Sequence, residues 1–175
     1  MSEPISVLFV CTANICRSPV MEVIARDLVG DDPSVDFSSA GTLGFEGRPI
    51  NRDMVPTISP GLGDDFRSRR LTTAMLDDAD LVLTAEGAHR THILEEHSHL
   101  HRRIFTLGQF AATIGQIPDL TGRALLAEAG ARRTPPRPVD DIADPYRRGS
   151  AAAEQATGTI TAMLRVVVPR LTGDT

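Results

Sequence analysis

The chain has 175 residues, with 23 acidic and 18 basic side chains, a formal charge of −5 and 41% hydrophobic content. That length buries roughly two-thirds of the surface its unfolded chain would expose, so one domain spanning 1–175 needs no metal or disulfide staple. Every basic residue is arginine, but the acidic balance argues against a protein devoted to nucleic acid phosphates. The two cysteines, Cys11 and Cys16, are too few for a secreted disulfide framework and point to a reducing cytoplasm. Met1-Ser2-Glu3-Pro4 has no positive leader. The apolar runs Val7 to Val10 and Val166 to Val168 are too short for a signal peptide or a membrane span.

In chain order, Ile5 to Val10 is an apolar, β-rich run that stops at Cys11, and Pro19 opens a helical stretch ending at Gly30. Val35 to Ser38 reads as a second short strand. Loops follow from Ala40 to Gly63, with a helical turn or two near Arg52 to Ile58, and Leu71 to Asp77 suits a short helix. Asp80 to Ala85 is a buried-strand pattern, followed by a helix from Glu86 to His97 that turns Ile93 and Leu94 inward. Arg103 to Leu107 is the next strand. Gly108 to Pro138 is weakly helical, chiefly over Thr121 to Arg133, and reads as a helical insertion around 108–138. Ser150 is placed to cap a final helix through Leu171. Strands alternating with helices imply parallel pairing and right-handed crossovers, a doubly wound α/β layout. A site in such a sheet lies where the loops after Val10, Ser39 and Ala85 converge.

One of those loops carries chemistry. Cys11-Thr12-Ala13-Asn14-Ile15-Cys16-Arg17-Ser18-Pro19 puts a thiol at a strand end, an arginine six positions later and a helix N-terminus directly behind. Inward-facing backbone N–H groups and the positive end of the helix dipole suit a tetrahedral dianion. The planar fork of Arg17 grips two phosphoryl oxygens at once. Thiols beside arginine at a helix N-terminus ionise readily, which makes Cys11 the expected nucleophile. Ser18 is placed to donate a hydrogen bond to that sulfur, and Asn14 to brace the loop.

This loop resembles that of the low-molecular-weight protein tyrosine phosphatases, Cys-x-x-Asn-(Ile/Thr)-Cys-Arg-Ser-Pro. It matches at Cys11, Asn14, Ile15, Cys16, Arg17, Ser18 and Pro19, and again at the late Asp144-Pro145-Tyr146. Ser39-Ala40-Gly41-Thr42 resembles the family's second loop, and Arg69 the arginine before its third strand. The resemblance implies a flavodoxin-like three-layer sandwich with four parallel strands in the order 2-1-3-4. It also implies attack by Cys11, phosphoryl binding by Arg17 and the Thr12 to Ser18 loop with Ser39 in support, and proton donation by Asp144. By chemistry alone Asp140 and Asp141 compete with Asp144; the resemblance selects Asp144.

The implied reaction hydrolyses protein phosphotyrosine, or an aryl phosphate, through a phosphocysteine. It releases inorganic phosphate and uses no metal or cofactor. Tyr146 and Phe45 are expected to form an aromatic slot for the substrate ring. In the resembled family a threonine at the position of Ile15 accompanies phosphoarginine activity, so isoleucine favours tyrosine. The family also uses a pair like Cys11 and Cys16 as a reversible oxidation guard. Where it often has a histidine three residues before the arginine, this chain has Phe66, so a brace beneath the cradle is expected to be missing or replaced. The competing readings are a phosphoarginine phosphatase, an arsenate reductase coupled to a small thiol, and a silent phosphate-binding adaptor. The His97-Ser98-His99-Leu100-His101 run suits a helix C-terminus better than a metal site. No nucleic acid or membrane partner is implied.

Overall fold

The structure is a computed structural model that describes residues 3–173, so the reading of Met1 and Ser2 lies outside it. Four strands, β1 (Ile5–Cys11), β2 (Val35–Gly41), β3 (Leu81–Thr84) and β4 (Ile104–Thr106), form one sheet in the order β2-β1-β3-β4. Every pairing is parallel, with Cys11 opposite Gly41 and Val10 opposite Thr84. Among the described residues the α-helices are α1 (Arg17–Val29), α2 (Thr73–Asp78), α3 (Gly87–Glu96), α4 (Leu107–Ile114), α5 (Gly122–Ala131) and α6 (Gly149–Thr172).

Burial on both faces explains why β1 is a nearly continuous apolar run rather than an alternating one. Val7 and Phe9 point to the face covered by α1, α4, α5 and α6, where Val20, Met21, Phe110, Leu125, Ile160 and Leu164 pack. Leu8 and Val10 point to the other face, against Leu76 of α2 and Ile93 of α3. The result is the expected three-layer sandwich, with the C-terminal ends of β1, β2 and β3 at one edge. No described helix is long and apolar enough to cross a membrane.

The differences from the expected elements have local causes. Helix α1 starts at Arg17, two residues before Pro19. Proline at the third helical position costs little there, because the first N–H groups of a helix have no intrahelical acceptor. Gly30 ends α1 as expected, with φ of 59° and its N–H on Arg26 O. Strand β2 runs on to Gly41, which bridges to Arg70. Arg148, not Ser150, holds the cap position of α6. The weakly helical stretch is two helices, and Thr106 caps the first by accepting from Gln109 N at 3.0 Å. His97 and His99 meet ring edge to face, with centroids 6.2 Å apart.

Candidate active site

The segment between β1 and α1 is a loop tied to its surroundings through three carbonyls. Cys11 O accepts from Thr42 N at 3.0 Å, Thr12 O from Leu43 N at 2.8 Å and Ile15 O from Asn51 N at 2.7 Å. Behind this loop, α1 adds an N-terminus with no side-chain cap and no acidic residue in its first turn. Gly41 permits the close approach of β2: a Cβ there would lie 2.7 Å from Thr12 O and 2.9 Å from Asn14 N.

Asn14 holds the loop's shape. It adopts φ of 56°, a conformation asparagine tolerates better than most residues. Its Nδ2 donates to Ser18 Oγ and to Ser39 Oγ, each at 2.8 Å, and its Oδ1 accepts from Arg69 N at 2.9 Å. Ser39 in turn donates to Glu22 Oε2 at 2.5 Å. With both Asn14 amide protons committed, the Ser18 proton is free for Cys11 Sγ at 3.0 Å, nearer than its alternative, Ala40 O at 3.5 Å. The network therefore ends in a hydrogen bond donated to the sulfur, as expected for Ser18.

Burial pushes the carboxyl of Glu22 above the usual carboxylate range, against the opposing pull of Ser39 and Arg26. Cys16 is buried beside Cys11 and its thiol is pushed up to about 12, chiefly by burial and then by Cys11. Phe66 packs on the core. The brace beneath the loop is the Asn14, Ser39 and Glu22 chain, with Arg69 Nε donating to Ser39 O at 2.8 Å.

Arg17 is 2% exposed. One of its terminal nitrogens donates to Ile142 O at 2.8 Å and meets Glu86 Oε1 at 3.1 Å, while the other faces Asp144 Oδ1 at 3.6 Å. Its Nε is buried and has no hydrogen-bond partner among the described residues. The guanidinium is thus fixed through one terminal nitrogen by a carbonyl and a carboxylate.

Asp144 reaches the same place from the other end of the chain. Its carboxylate accepts from Tyr146 N at 3.2 Å, an Asx turn ahead of α6. The two competing acids are occupied elsewhere. Asp140 is buried in an ion pair with Arg137 at 2.8 Å, and Asp141 accepts from Gly87 N at 2.8 Å at the start of α3. A cavity of about 190 Å³ is lined by Cys11, Thr12, Ala13, Ile15, Cys16, Arg17, Phe45, Asp144 and Tyr146. Phe45 and Tyr146 stand half-exposed at its mouth. Asn14, Ser18 and Ser39 lie behind the wall rather than on it.

The sequence matches the family described as low molecular weight phosphotyrosine protein phosphatase over residues 6–120. The chain belongs to this family. It is 28% identical over 168 residues to the probable low molecular weight protein-tyrosine-phosphatase EpsP of Ralstonia nicotianae, covering 95% of each chain. It is 31% identical over 117 residues to the low molecular weight protein-tyrosine-phosphatase PtpB of Staphylococcus aureus, covering 66% of this chain and 81% of that one. Its fold is shared with YwlE arginine phosphatase from Geobacillus stearothermophilus, at a TM-score of 0.78 and 24% identity, over 98% of this chain and 95% of the other.

Three side chains around the candidate site of this low molecular weight phosphatase escape a sequence reading. Glu86 N-caps α3 and pairs with Arg17, and His89 completes a reciprocal capping box with it. The signal for Glu86 was positional: an acid one residue past a buried strand at the C-terminal edge of the sheet. Ser68 is a third omission; its hydroxyl donates to Phe45 O and accepts from Arg48 N at 3.0 Å, tying down the Phe45 loop.

Burial, and then the nearby Arg17, lowers His89 from 6.5 to about 4. Between those values the unfolded chain binds the proton and the folded one does not, so stability rises with pH across that window and is lost as pH falls through it. Chemical denaturation of wild type and His89→Gln at pH 6.5 and pH 4 is expected to show a loss on acidification smaller by roughly 3 kcal/mol in the variant.

Proposed function

We propose that this enzyme hydrolyses phosphotyrosine in proteins by two in-line displacements at Cys11. In the first, Cys11 Sγ bonds to phosphorus as the bond from phosphorus to the phenolic oxygen breaks. Arg17 and the loop N–H groups hold the equatorial oxygens, where negative charge is spread in the transition state. Tyrosine's oxygen has a pKa near ~10, so it leaves poorly as a phenolate, and Asp144 delivers the proton to it. In the second, Asp144 takes a proton from water, the water oxygen bonds to phosphorus and the sulfur–phosphorus bond breaks, releasing phosphate and the thiolate. The incoming dianion displaces the Asp144 carboxylate from Arg17, which frees Asp144 to turn toward the leaving oxygen.

The observation that carries this proposal is the convergence of Cys11, Arg17 and Asp144 on one small cavity. Substrate class is supported by the rest of the lining. Ile15, Ala13, Phe45 and Tyr146 offer hydrocarbon and ring faces to an aryl group, and among the described residues no carboxylate besides Asp144 lines the cavity to receive a guanidinium. A phosphoserine side chain is too short to span a slot with aromatic rings at its mouth. Hydrolysis of phosphotyrosine, phosphoserine and phosphoarginine peptides measured side by side, with arsenate reduction as a control, tests this. Phosphotyrosine is expected to lead phosphoserine by at least about 10²-fold in kcat/KM. Faster release from phosphoarginine, or arsenate reduction without ester hydrolysis, would overturn it.

Arg17→Lys removes the bidentate grip and strips Glu86 of its fork partner. It is expected to lower kcat by about 10²-fold or more on the same peptides. Cys16 is proposed as the partner that traps an oxidised Cys11 as a disulfide, which suits a reducing cytoplasm where that bond is reopened. Peroxide inactivation reversible by dithiothreitol in wild type, and largely irreversible in Cys16→Ser, is the expected result.

A further inference from the structure

His89 occupies a position that the displacement chemistry does not use. It is 5% exposed and sits at the third residue of α3. Its Nδ1 accepts from Glu86 N at 3.2 Å, which requires a lone pair on that nitrogen and so places the ring proton on Nε2. Nε2 lies 2.8 Å from Thr12 Oγ1 and 3.7 Å from Glu86 Oε2, so its proton goes to the threonine. The Thr12 hydroxyl, having accepted, must spend its own proton elsewhere. Thr12 lines the cavity with Cys11 and Arg17, and its backbone carbonyl is already held by Leu43 N.

We propose that His89 is a positioning residue that fixes the rotation of the Thr12 hydroxyl, so that Thr12 contributes a side-chain donor to a phosphoryl oxygen of the bound substrate. The arrangement is directional: Glu86 N–H to His89, His89 to Thr12, Thr12 to the anion. Each donor has one acceptor, and reversing any link would set two protons against each other. The charged and titratable groups around the ring are Arg17, Glu86, Asp141, Asp144 and His92. Burial keeps the ring neutral at ordinary pH, which preserves the lone pair on which the direction depends.

The inference rests on the phosphatase activity proposed above, and a double-mutant cycle separates the two. Thr12→Val removes the donor at nearly constant shape. His89→Asn keeps an acceptor for Glu86 N–H but loses the reach to Thr12. His89→Gln regains that reach. With an aryl phosphate as substrate and inorganic phosphate as competitive inhibitor, Thr12→Val is expected to lower kcat/KM and weaken phosphate binding by about tenfold. His89→Asn alone is expected to cost about threefold or more, and less than about twofold when added to Thr12→Val, because its effect passes through that hydroxyl. His89→Gln is expected to recover most of the loss. Additive effects in the double variant, or a Thr12→Val protein within about twofold of wild type, overturn the positioning role. Thr12→Val decides alone if thermal unfolding shows that the His89 variants fold poorly. A wild-type protein that cleaves no aryl phosphate overturns the phosphatase activity itself.

Discussion

Replacing Cys11 with serine is expected to lower kcat on an aryl phosphate by on the order of 10⁴-fold or more while leaving the melting temperature close to that of wild type. The substitution changes one atom. Serine keeps the side-chain length at the floor of the cradle, keeps an acceptor for the Ser18 hydroxyl 3.0 Å away, and leaves the Asn14, Ser39 and Glu22 network untouched. What is lost is the ease of forming an anion: a hydroxyl in the same field of N–H groups remains protonated and attacks phosphorus poorly. The side chain hydrogen-bonded to residue 11, Ser18, is a hydroxyl and not a general base. Steady-state assay of the purified variant checks this, with phosphate binding by calorimetry as the control, since the anion cradle should survive. Turnover at the parent rate would remove Cys11 from the reaction.

Asp144→Asn is expected to lower kcat on phosphotyrosine peptides by about 10²- to 10⁴-fold. The fold should tolerate the change, because asparagine retains an oxygen to accept from Tyr146 N, and the 3.6 Å contact with Arg17 is made by a half-exposed carboxylate. The loss should depend on the leaving group. A phenol more acidic than tyrosine departs without much help, so an activated aryl phosphate should show a smaller deficit in formation of the phosphocysteine than the peptide does. Its hydrolysis still needs a base for water. The variant should therefore release a stoichiometric burst of phenol and then turn over slowly. An equal deficit for good and poor leaving groups, with no burst, would place the acid elsewhere; Asp140 and Asp141, already bound to Arg137 and Gly87, would be weak replacements.

The parts legible in the sequence are those in which local chemistry and topology agree. A continuous apolar run from Ile5, then Cys11 through Pro19 and a helix closed by Gly30, announces a parallel strand, a tight loop and a crossover helix, and the structure has these elements. Ser18 against sulfur was legible because it lies one short loop from Cys11, and Asn14 as the brace because it sits inside that loop, although two of its partners, Ser39 and Arg69, were not. Partners far along the chain were not. Glu86 and His89 meet Arg17 and Thr12 only because β1 and β3 are neighbours in the sheet, which sequence spacing does not encode. Helix α4 was missed as a distinct element because Thr106 and Gln109 form its cap within an apolar stretch that also reads as strand. Phe66 raised the question of a missing brace, and Glu22, buried under Ser39, answers it from a helix position whose acid would ordinarily be assigned to solvent.

The proposed reaction requires a covalent bond between sulfur and phosphorus at residue 11. Acid quench of the Asp144→Asn protein within its first turnover of an activated aryl phosphate, followed by peptide mass spectrometry, measures it directly. One phosphoryl group on the peptide that carries Cys11, lost on continued incubation as phosphate appears, is the predicted result. Continued turnover with that peptide unmodified, or with the phosphoryl group on another residue, would contradict it.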